Sequence, residues 1–202
     1  MCIRDRDERM SFFDFSKLVR DDQLDRLHNL SANWLLYVDN YLEGFHIPYV
    51  HKALNSVIDY SKYQTELFDN SVLQIGEGQE GEVCFDIPLG HQDYGRKIAA
   101  YYWWVFPNLM LNFYPWGLSI NIVKPINIKK TKVQFLSYVY DESKLDLGAG
   151  ASLDKVERED EFVVEGVQKG INSKFYKAGR FSPSKEKGVH HFHTLLSSSY
   201  NT

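Results

Sequence analysis

The chain has 202 residues, a formal net charge of −4 and two cysteines, with 44% hydrophobic and 15% aromatic residues. This length suits one domain with a sizeable core, and the charge argues against nucleic acid or an anionic membrane surface as the main partner. Two cysteines give no disulfide framework, and no apolar run approaches the roughly 20 residues that span a bilayer, so we expect a protein of the reducing cytoplasm.

The first predicted helix follows a charged N-terminal region. Residues 1–6 are strongly charged, and the segment from Asp14 to Leu30 is weakly amphipathic. From Asn33 to Phe45, apolar residues recur at intervals of three and four residues. This is the period of one helix face, so the pattern predicts a helix over Asn33–Phe45.

Two histidines and a carboxylate are concentrated at the end of this helix. Glu43 and His46 are three residues apart and share a helix face, whereas His46 and His51 are five apart and do not. Pro48 lies between the histidines and predicts a bend or helix end that brings the second imidazole back toward the first. Either the histidines bind a metal, or one is a buried, hydrogen-bonded histidine and the other lies on the surface.

The middle of the chain changes to an apolar pattern of period two, which predicts strands. Turn-rich Gly76–Gly81 predicts a hairpin connection, and Pro107-Asn108 and Pro115–Gly117 predict tight turns. The predicted strands are Ile58–Leu67, Ser71–Ile75, Glu82–Phe85, Ala99–Phe106, Leu109–Tyr114, Leu118–Pro125 and Thr131–Val139.

Aromatic residues are dense in the two strands and the turn between Tyr101 and Trp116. One face of this hairpin would line a ligand pocket, and we take Trp103, Phe113 and Trp116 as candidate substrate-binding residues. Packing in the core is the alternative for each ring. Tryptophan and tyrosine rings also attract quaternary ammonium groups by cation–π interaction.

The C-terminal part predicts two helices. Gly148–Gly150 predicts a flexible break, and Ser152 can cap a long helix that continues to about Gly170. Another helix begins near Lys185. The apolar stripe expected on the long helix consists of Leu153, Val156, Phe162, Val163 and Val167. Strands in the middle with helices at both ends predict an α+β fold, in which the long helix lies against one face of an antiparallel sheet.

The long helix also carries acids. Five of the eight residues from Asp154 to Glu161 are acidic, and a solvated charged face is the simplest interpretation of such a run. Two histidines and one carboxylate form the facial triad of non-heme Fe(II) oxygenases. On local sequence alone, Glu157, Asp160 and Glu161 are equally eligible to supply that carboxylate.

Two motifs, far apart and in order, resemble those of Rieske-type ring-hydroxylating oxygenase alpha subunits. The first consists of Asn33-Trp34, Asp39–Glu43, His46 and His51. The second consists of Glu159-Asp160, Glu165–Gly170, Gly179–Ser182 and Gly188–His193. The resemblance extends from about Ala32 to the C-terminus, and it implies the helix-grip (START/Bet v 1-like) form of the α+β fold.

The resemblance also implies roles for single residues. His46, His51 and Asp160 match the three ligands of a mononuclear Fe(II), and it is the position relative to Gln168 that selects Asp160 among the acids. Glu43 matches the acidic residue that links the iron to the Rieske cluster of a neighbouring subunit. The histidine cluster at 190, 191 and 193 is not a ligand set in this family, so we expect these side chains to pack or to form hydrogen bonds.

The implied activity is hydroxylation, as a mono- or dioxygenase, of a small organic substrate that is aromatic or choline-like. It would use O₂ and electrons from NAD(P)H delivered by a reductase or ferredoxin, in a homotrimer. Two functions of other classes stay open. A helix-grip module that binds an apolar ligand without redox chemistry predicts no stoichiometric iron, and a zinc-dependent hydrolase using the same histidines predicts activity without oxygen or reductant.

The sequence departs from a complete alpha subunit in one respect. A Rieske [2Fe–2S] cluster needs paired Cys-x-His and Cys-x-x-His motifs, and neither Cys2 nor Cys84 lies in one. We therefore expect an N-terminally truncated protein, with the cluster in the missing domain. Residues 1–31 would be the remnant of the connection to that domain, and residues 32–202 would be the catalytic domain, inactive alone.

Overall fold

The computed structural model describes residues 7–200. Seven antiparallel strands form one sheet in the order β1-β7-β6-β5-β4-β3-β2, so that successive strands from β2 to β7 are neighbours. The strands are β1 (Val19–Leu30), β2 (Gln64–Phe68), β3 (Ser71–Glu77), β4 (Ile98–Val105), β5 (Leu109–Tyr114), β6 (Gly117–Asn127) and β7 (Lys130–Val139).

The helices lie before β2 and after β7. They are α1 (Trp34–Tyr41), α2 (Ile47–Val50), α3 (Lys52–Val57), α4 (Leu153–Ile171) and α5 (Lys187–Tyr200). Helix α1 contacts α4, α5 and strand β6. Within residues 7–200, no helix has the length and apolar character that crossing a membrane requires.

Both faces of the sheet are covered. On one face, the helices pack over Trp104 in a cluster that includes Phe192 of α5. On the other face, Trp103 and Phe113 pack against Met10 and other residues of the N-terminal region and of the β3–β4 connection. Successive residues of a strand point to opposite faces, so the two clusters use alternate positions of the same strands.

The predicted fold class is confirmed: a long helix lies on one face of an antiparallel sheet in an α+β fold. Strands β3 to β7 lie within two residues of their predicted bounds. The helix predicted from about Lys185 is α5, which begins at Lys187.

Three predictions before β4 are wrong. Most of the predicted strand Ile58–Leu67 is not strand, because Asp59 accepts a hydrogen bond from the Ser61 amide (3.1 Å) and holds a 3₁₀ turn before β2. Glu82–Phe85 is irregular, and Gly76–Gly81 does not form a hairpin. Strand β3 pairs instead with β4, and the long connection between them covers the second face of the sheet.

The first helix is shorter than predicted. Asn33 caps it by accepting a hydrogen bond from the Leu35 amide (3.0 Å), but the helix ends at Tyr41 rather than at Phe45. The chain then makes a turn over residues 43–46 before α2 begins at Ile47. Glu43 therefore lies in the turn that precedes α2 and not on α1.

The long helix has the predicted length, and only part of the predicted apolar stripe, Leu153 and Val156, lies toward the sheet. Val164 and Gln168 are buried, whereas Phe162 and Val167 of the predicted apolar stripe are exposed. Apolar periodicity misses the inward face because that face also carries acidic residues. Ser152 precedes the helix with a left-handed φ of 53°, and its side chain makes no capping hydrogen bond.

Gly148–Gly150 is a 3₁₀ turn with buried residues and not a flexible break. A Cβ atom on Gly150 would lie 2.1 Å from Trp116 Nε1, so the chain passes close to this ring only because residue 150 is glycine.

The N-terminal region belongs to the same folded unit as the rest of the described chain. Strand β1 pairs with β7 from Val19 to Leu30, and Met10 and Phe13 are buried. The boundary expected at residue 31 therefore does not separate two folded parts. It remains a prediction that residues 1–31 lead to a Rieske domain. Residues 1–6 lie outside the described residues.

Candidate metal centre

Two histidines converge because the chain breaks twice after α1. His46 precedes the single turn of α2, and His51 follows it, between α2 and α3. Pro48 lies in the first turn of α2, where its missing amide proton costs no helical hydrogen bond. Glu43 Oε2 accepts a hydrogen bond from the His46 backbone amide (3.0 Å) and holds the turn before α2.

Asp160 reaches the two imidazoles from α4, on the other side of the cavity. His46 Nε2 lies 3.0 Å from His51 Nε2, and the Asp160 Oδ1 atom lies 3.3 Å and 3.0 Å from these two nitrogens. Ligand atoms that occupy adjacent positions of an octahedron, each about 2.1 Å from the metal, are about 3 Å apart. The three atoms therefore form one face of an octahedron that a first-row transition metal fits.

The hydrogen bonds of the two rings decide which nitrogens face each other. His46 Nδ1 lies 2.6 Å from Glu43 Oε1, and His51 Nδ1 lies 2.8 Å from Glu159 Oε2. A carboxylate only accepts, so in the neutral imidazoles both Nδ1 atoms carry the proton and both Nε2 atoms present lone pairs. Two lone pairs and the Asp160 carboxylate then converge on one point, an arrangement that a bound cation stabilises.

The charges around this point agree with a cation site. Burial opposes the charged imidazole, but hydrogen bonds to Asp160 and Glu43 outweigh it and raise the pKa of His46 to about 9. Burial likewise opposes ionisation of Asp160, but hydrogen bonds from His46 and His51 lower its pKa to about 2. The surroundings therefore favour extra positive charge between the three side chains.

Neighbouring side chains fix the ligand atoms in place. Asn40 Nδ2 donates to Asp160 Oδ1 (2.7 Å), and Glu159 holds the His51 ring. The sequence motifs contain both residues but gave neither a role, because each contact joins α4 to a segment more than a hundred residues away. Such partners orient metal ligands and increase their basicity.

A cavity of about 80 Å³ adjoins the three converging atoms. Five tyrosines from four different parts of the chain border it: Tyr37, Tyr41, Tyr63, Tyr102 and Tyr114. Asn112, Asn121 and Glu157 add polar groups. Tyr41 donates its hydroxyl proton to Asn112 Oδ1 (2.7 Å), so its polar tip is engaged while its ring borders the cavity.

The predicted aromatic residues do not line this cavity. Trp103 and Phe113 lie in the core of the opposite sheet face, one position away from Tyr102 and Tyr114 in the same strands. The side chains of the aromatic hairpin that border the cavity are therefore the alternate ones, Tyr102 and Tyr114, and not Trp103 and Phe113. Both faces of β4 and β5 are buried and apolar, so the sequence carries no signal for which face points to the helices.

Trp116 stacks on Tyr114 and lines a neighbouring cavity of about 210 Å³. The two cavities share Leu153 and Glu157 of α4. Glu157 lies one helical turn before Asp160, and its Oε2 accepts a hydrogen bond from the Tyr37 hydroxyl (2.9 Å). In the sequence, Glu157 is only one of three acids eligible to supply the carboxylate, and no local pattern indicates its place between the cavities.

The C-terminal histidine cluster lies apart from the converging ligand atoms. His191 Nε2 lies 2.7 Å from the Phe68 carbonyl oxygen, and His193 Nε2 lies 2.8 Å from Asp39 Oδ1. His190 packs edge-on against Phe181. These hydrogen-bonding and packing contacts match those expected for this cluster, and among the described residues only His46, His51 and Asp160 form a group able to hold a metal ion.

A sequence model of the family described as ring hydroxylating alpha subunit (catalytic domain) matches residues 15–201. The chain belongs to this family. The family's match begins before β1, in agreement with the single folded unit seen here.

Curated relatives include choline monooxygenase, chloroplastic, from Arabidopsis thaliana, which is 40% identical over 180 residues, covering 85% of this chain and 40% of the relative. The carnitine monooxygenase oxygenase subunit of Escherichia coli K12 is 30% identical over 179 residues, covering 82% of this chain and 46% of the relative. The chain thus spans less than half the length of these relatives.

Solved structures with the same fold include a quaternary ammonium Rieske monooxygenase. It has a TM-score of 0.70 and 24% identity, over 91% of this chain and 51% of that one. Dicamba monooxygenase bound to dicamba has a TM-score of 0.60 and 15% identity, over 94% of this chain and 63% of that one. At these identities, the likeness shows a shared fold.

Proposed function

We propose that this chain is the catalytic domain of a Rieske-type oxygenase, in which His46, His51 and Asp160 hold one Fe(II). The observation that carries the proposal is the convergence of two imidazole lone pairs and one carboxylate oxygen, each 3.0–3.3 Å from the others. Bound there, Fe(II) supplies a site for O₂ activation with open coordination positions. Membership of the family independently favours iron.

The side chains around the three ligands have distinct tasks in this proposal. Glu43 and Glu159 keep the Nδ1 protons in place, so that both Nε2 atoms remain free to bind the metal. Asn40 holds the Asp160 carboxylate in its orientation. The partly buried cavity limits the water that reaches the site, which suits a reactive oxidising centre.

Glu43 is the proposed link to the electron donor. Its carboxylate is hydrogen-bonded to His46, and its side chain is 15% exposed, as is that of His46, so it is accessible from outside the domain beside a metal ligand. We propose that it faces a Rieske [2Fe–2S] cluster on a neighbouring subunit, in a homotrimer that receives electrons from NAD(P)H through a reductase or ferredoxin.

The proposed substrate is a small quaternary ammonium compound. The relatives are named for choline and carnitine, and the tyrosine rings around the cavity offer the negative faces that attract such cations. A cavity of about 80 Å³ suits a small head group, with room for the remainder of the molecule in the adjoining cavity.

The proposal is tested by restoring a Rieske domain through fusion to the N-terminus and measuring choline-dependent consumption of O₂ and NAD(P)H. The fusion should turn over with a reductase, and the 202-residue chain alone should not. His51→Ala should lose both iron and turnover. Glu43→Gln should keep its iron but lose turnover by about tenfold or more, because it alters the route to the donor and not the ligands.

Three outcomes would contradict the proposal. Sustained turnover by the chain alone would show that electrons reach it by another route. Activity without O₂ or reductant would favour a hydrolase. Equal loss of iron and turnover in Glu43→Gln would make Glu43 a structural group rather than a link to the donor.

A further inference from the structure

Glu157 is the acidic residue of the site whose carboxylate makes no hydrogen bond to a histidine. Glu43 is hydrogen-bonded to His46, and the Asp160 carboxylate lies within 3.3 Å of the Nε2 atoms of His46 and His51. The described contacts of Glu157 are with uncharged groups: the Tyr37 hydroxyl donates to it at 2.9 Å, and Asn121 lies beside it. It is therefore an acid that lines the cavity without a charged partner.

The side chains that line the cavity beside this carboxyl include several tyrosines. Tyr102 and Tyr114 border the same cavity, with their rings 5.9 Å apart in an edge-on arrangement, and Tyr41 joins them. No lysine or arginine lines this cavity in the described chain. A carboxylate and tyrosine π-faces both stabilise positive charge and disfavour negative charge.

A purely structural acid would be unfavourable at this position. Burial and the charge of Asp160 raise the pKa of Glu157 to about 8. A glutamine would accept the same hydrogen bond from Tyr37 without that electrostatic cost. Near pH 7 this pKa leaves the carboxyl largely protonated in the empty cavity, and a cation beside it favours the ionised form.

We propose that Glu157 is the specificity-determining residue of this site and that its carboxylate is the counter-charge for the quaternary ammonium head of the substrate. The inference rests on the proposed function, since it deepens the substrate class named there. Glu157 lines both cavities, so a head group beside it is close to the three ligand atoms while the rest of the molecule extends into the larger cavity.

The test compares two ligands of the same shape that differ in charge. Choline and its carbon isostere 3,3-dimethylbutan-1-ol are titrated by calorimetry into the Fe(II)-loaded 202-residue chain under nitrogen. The readout is the ratio of the two dissociation constants. The wild-type chain should bind choline at least about tenfold more tightly, since loss of one favourable charge contact of about 1.4 kcal/mol changes affinity tenfold.

Glu157→Gln should weaken choline binding by at least about tenfold and leave binding of the neutral alcohol within about twofold. Glu157→Ala should lose the same preference even if the enlarged cavity changes both affinities. Glu165→Gln is the matched control, because it removes the same charge two turns further along α4, from a residue that lines neither cavity and is hydrogen-bonded to the Ser31 amide. It should keep the wild-type ratio.

The outcomes separate the inference from the function on which it rests. If the wild-type chain prefers choline and both Glu157 variants keep that preference, the role of Glu157 is refuted and the substrate class stands. If the wild-type chain shows no preference for choline, the quaternary ammonium assignment itself is refuted. An unchanged iron content in Glu157→Gln shows that the variant site is folded.

Discussion

His51 faces Asp160 with the correct nitrogen because Glu159 accepts the proton of its other nitrogen. Glu159→Ala removes that partner and should weaken metal affinity by about 10–100-fold without abolishing it. The measurement is a competitive titration with Co(II) or Fe(II). Glu165→Ala, on the same helix but hydrogen-bonded to the Ser31 amide, is the control and should keep full affinity. Equal affinities in the two variants would rule out this role of Glu159.

Single residues of the site were predictable only where a motif carried them. His46, His51 and Asp160 could be named from two short motifs, although Asp160 is 109 residues after His51. Asn40 and Glu157 lie within or beside the same motifs, but their contacts depend on how α1 and the sheet pack against α4. That packing is a tertiary property, and no local pattern reports it.

At the scale of elements, the later strands β4 to β7 were predictable. Their apolar residues recur with a period close to two, and turns containing glycine or proline separate several of them. Strand β1 was missed because it is a mostly polar edge strand with an irregularity between Asp21 and Arg26. Which face of β4 borders the cavity, that of Tyr102 or that of Trp103, was not predictable for the opposite reason. Both faces of β4 are apolar, so alternation gives two equivalent answers.

The contact between α5 and the end of α1 depends on a small residue. A Cβ atom on Gly188 would lie 2.6 Å from the Leu42 carbonyl oxygen, which is backbone and cannot move freely. Gly188→Ala should therefore lower the free energy of unfolding by about 1–3 kcal/mol. Gly166→Ala is the control, because Gly166 of α4 has nothing within 4 Å of that position. It should be neutral or stabilising by up to about 1 kcal/mol, owing to the better helix propensity of alanine.

Urea denaturation followed by circular dichroism measures both glycine variants. Opposite signs for the two substitutions are expected. Equal effects would mean that the close approach of α5 to Leu42 does not determine the packing of the helices over the site.

At the scale of the whole molecule, a buried ionic network attaches the N-terminal region to the sheet. Asp93 is 2% exposed and accepts hydrogen bonds from Arg9 Nε (2.6 Å), Arg96 Nη1 (2.7 Å) and the Tyr101 hydroxyl (2.8 Å). Asp93→Asn removes the carboxylate that the two arginines share, although Arg9 keeps Glu66 and Arg96 keeps Glu77, and it should cost about 1–3 kcal/mol of unfolding free energy at pH 7. Arg158→Gln breaks an exposed pair with Asp154 and should cost less than about 1 kcal/mol.

The pH dependence of the stability difference between wild type and Asp93→Asn follows from the direction in which the pKa of Asp93 is shifted. Burial opposes ionisation of Asp93, but the hydrogen bond from Tyr101 and the charge of Arg9 prevail and lower its pKa. The stabilisation is therefore present above the unfolded-state pKa of about 3.9 and is lost as the pH falls through the lower folded-state value. The gap between wild-type and Asp93→Asn stabilities should narrow below about pH 4. A gap that is constant down to pH 2 would exclude an ionic origin.

The central claim is that two histidines and one aspartate hold a single Fe(II), and the iron content of anaerobically loaded, desalted protein tests it most directly. The wild-type chain should retain one iron per chain. His46→Ala and Asp160→Ala should retain almost none while keeping the wild-type circular dichroism spectrum. His193→Ala, in the separate C-terminal histidine cluster, should retain one. Full iron content in folded His46→Ala or Asp160→Ala, or loss of iron in His193→Ala, would contradict the claim.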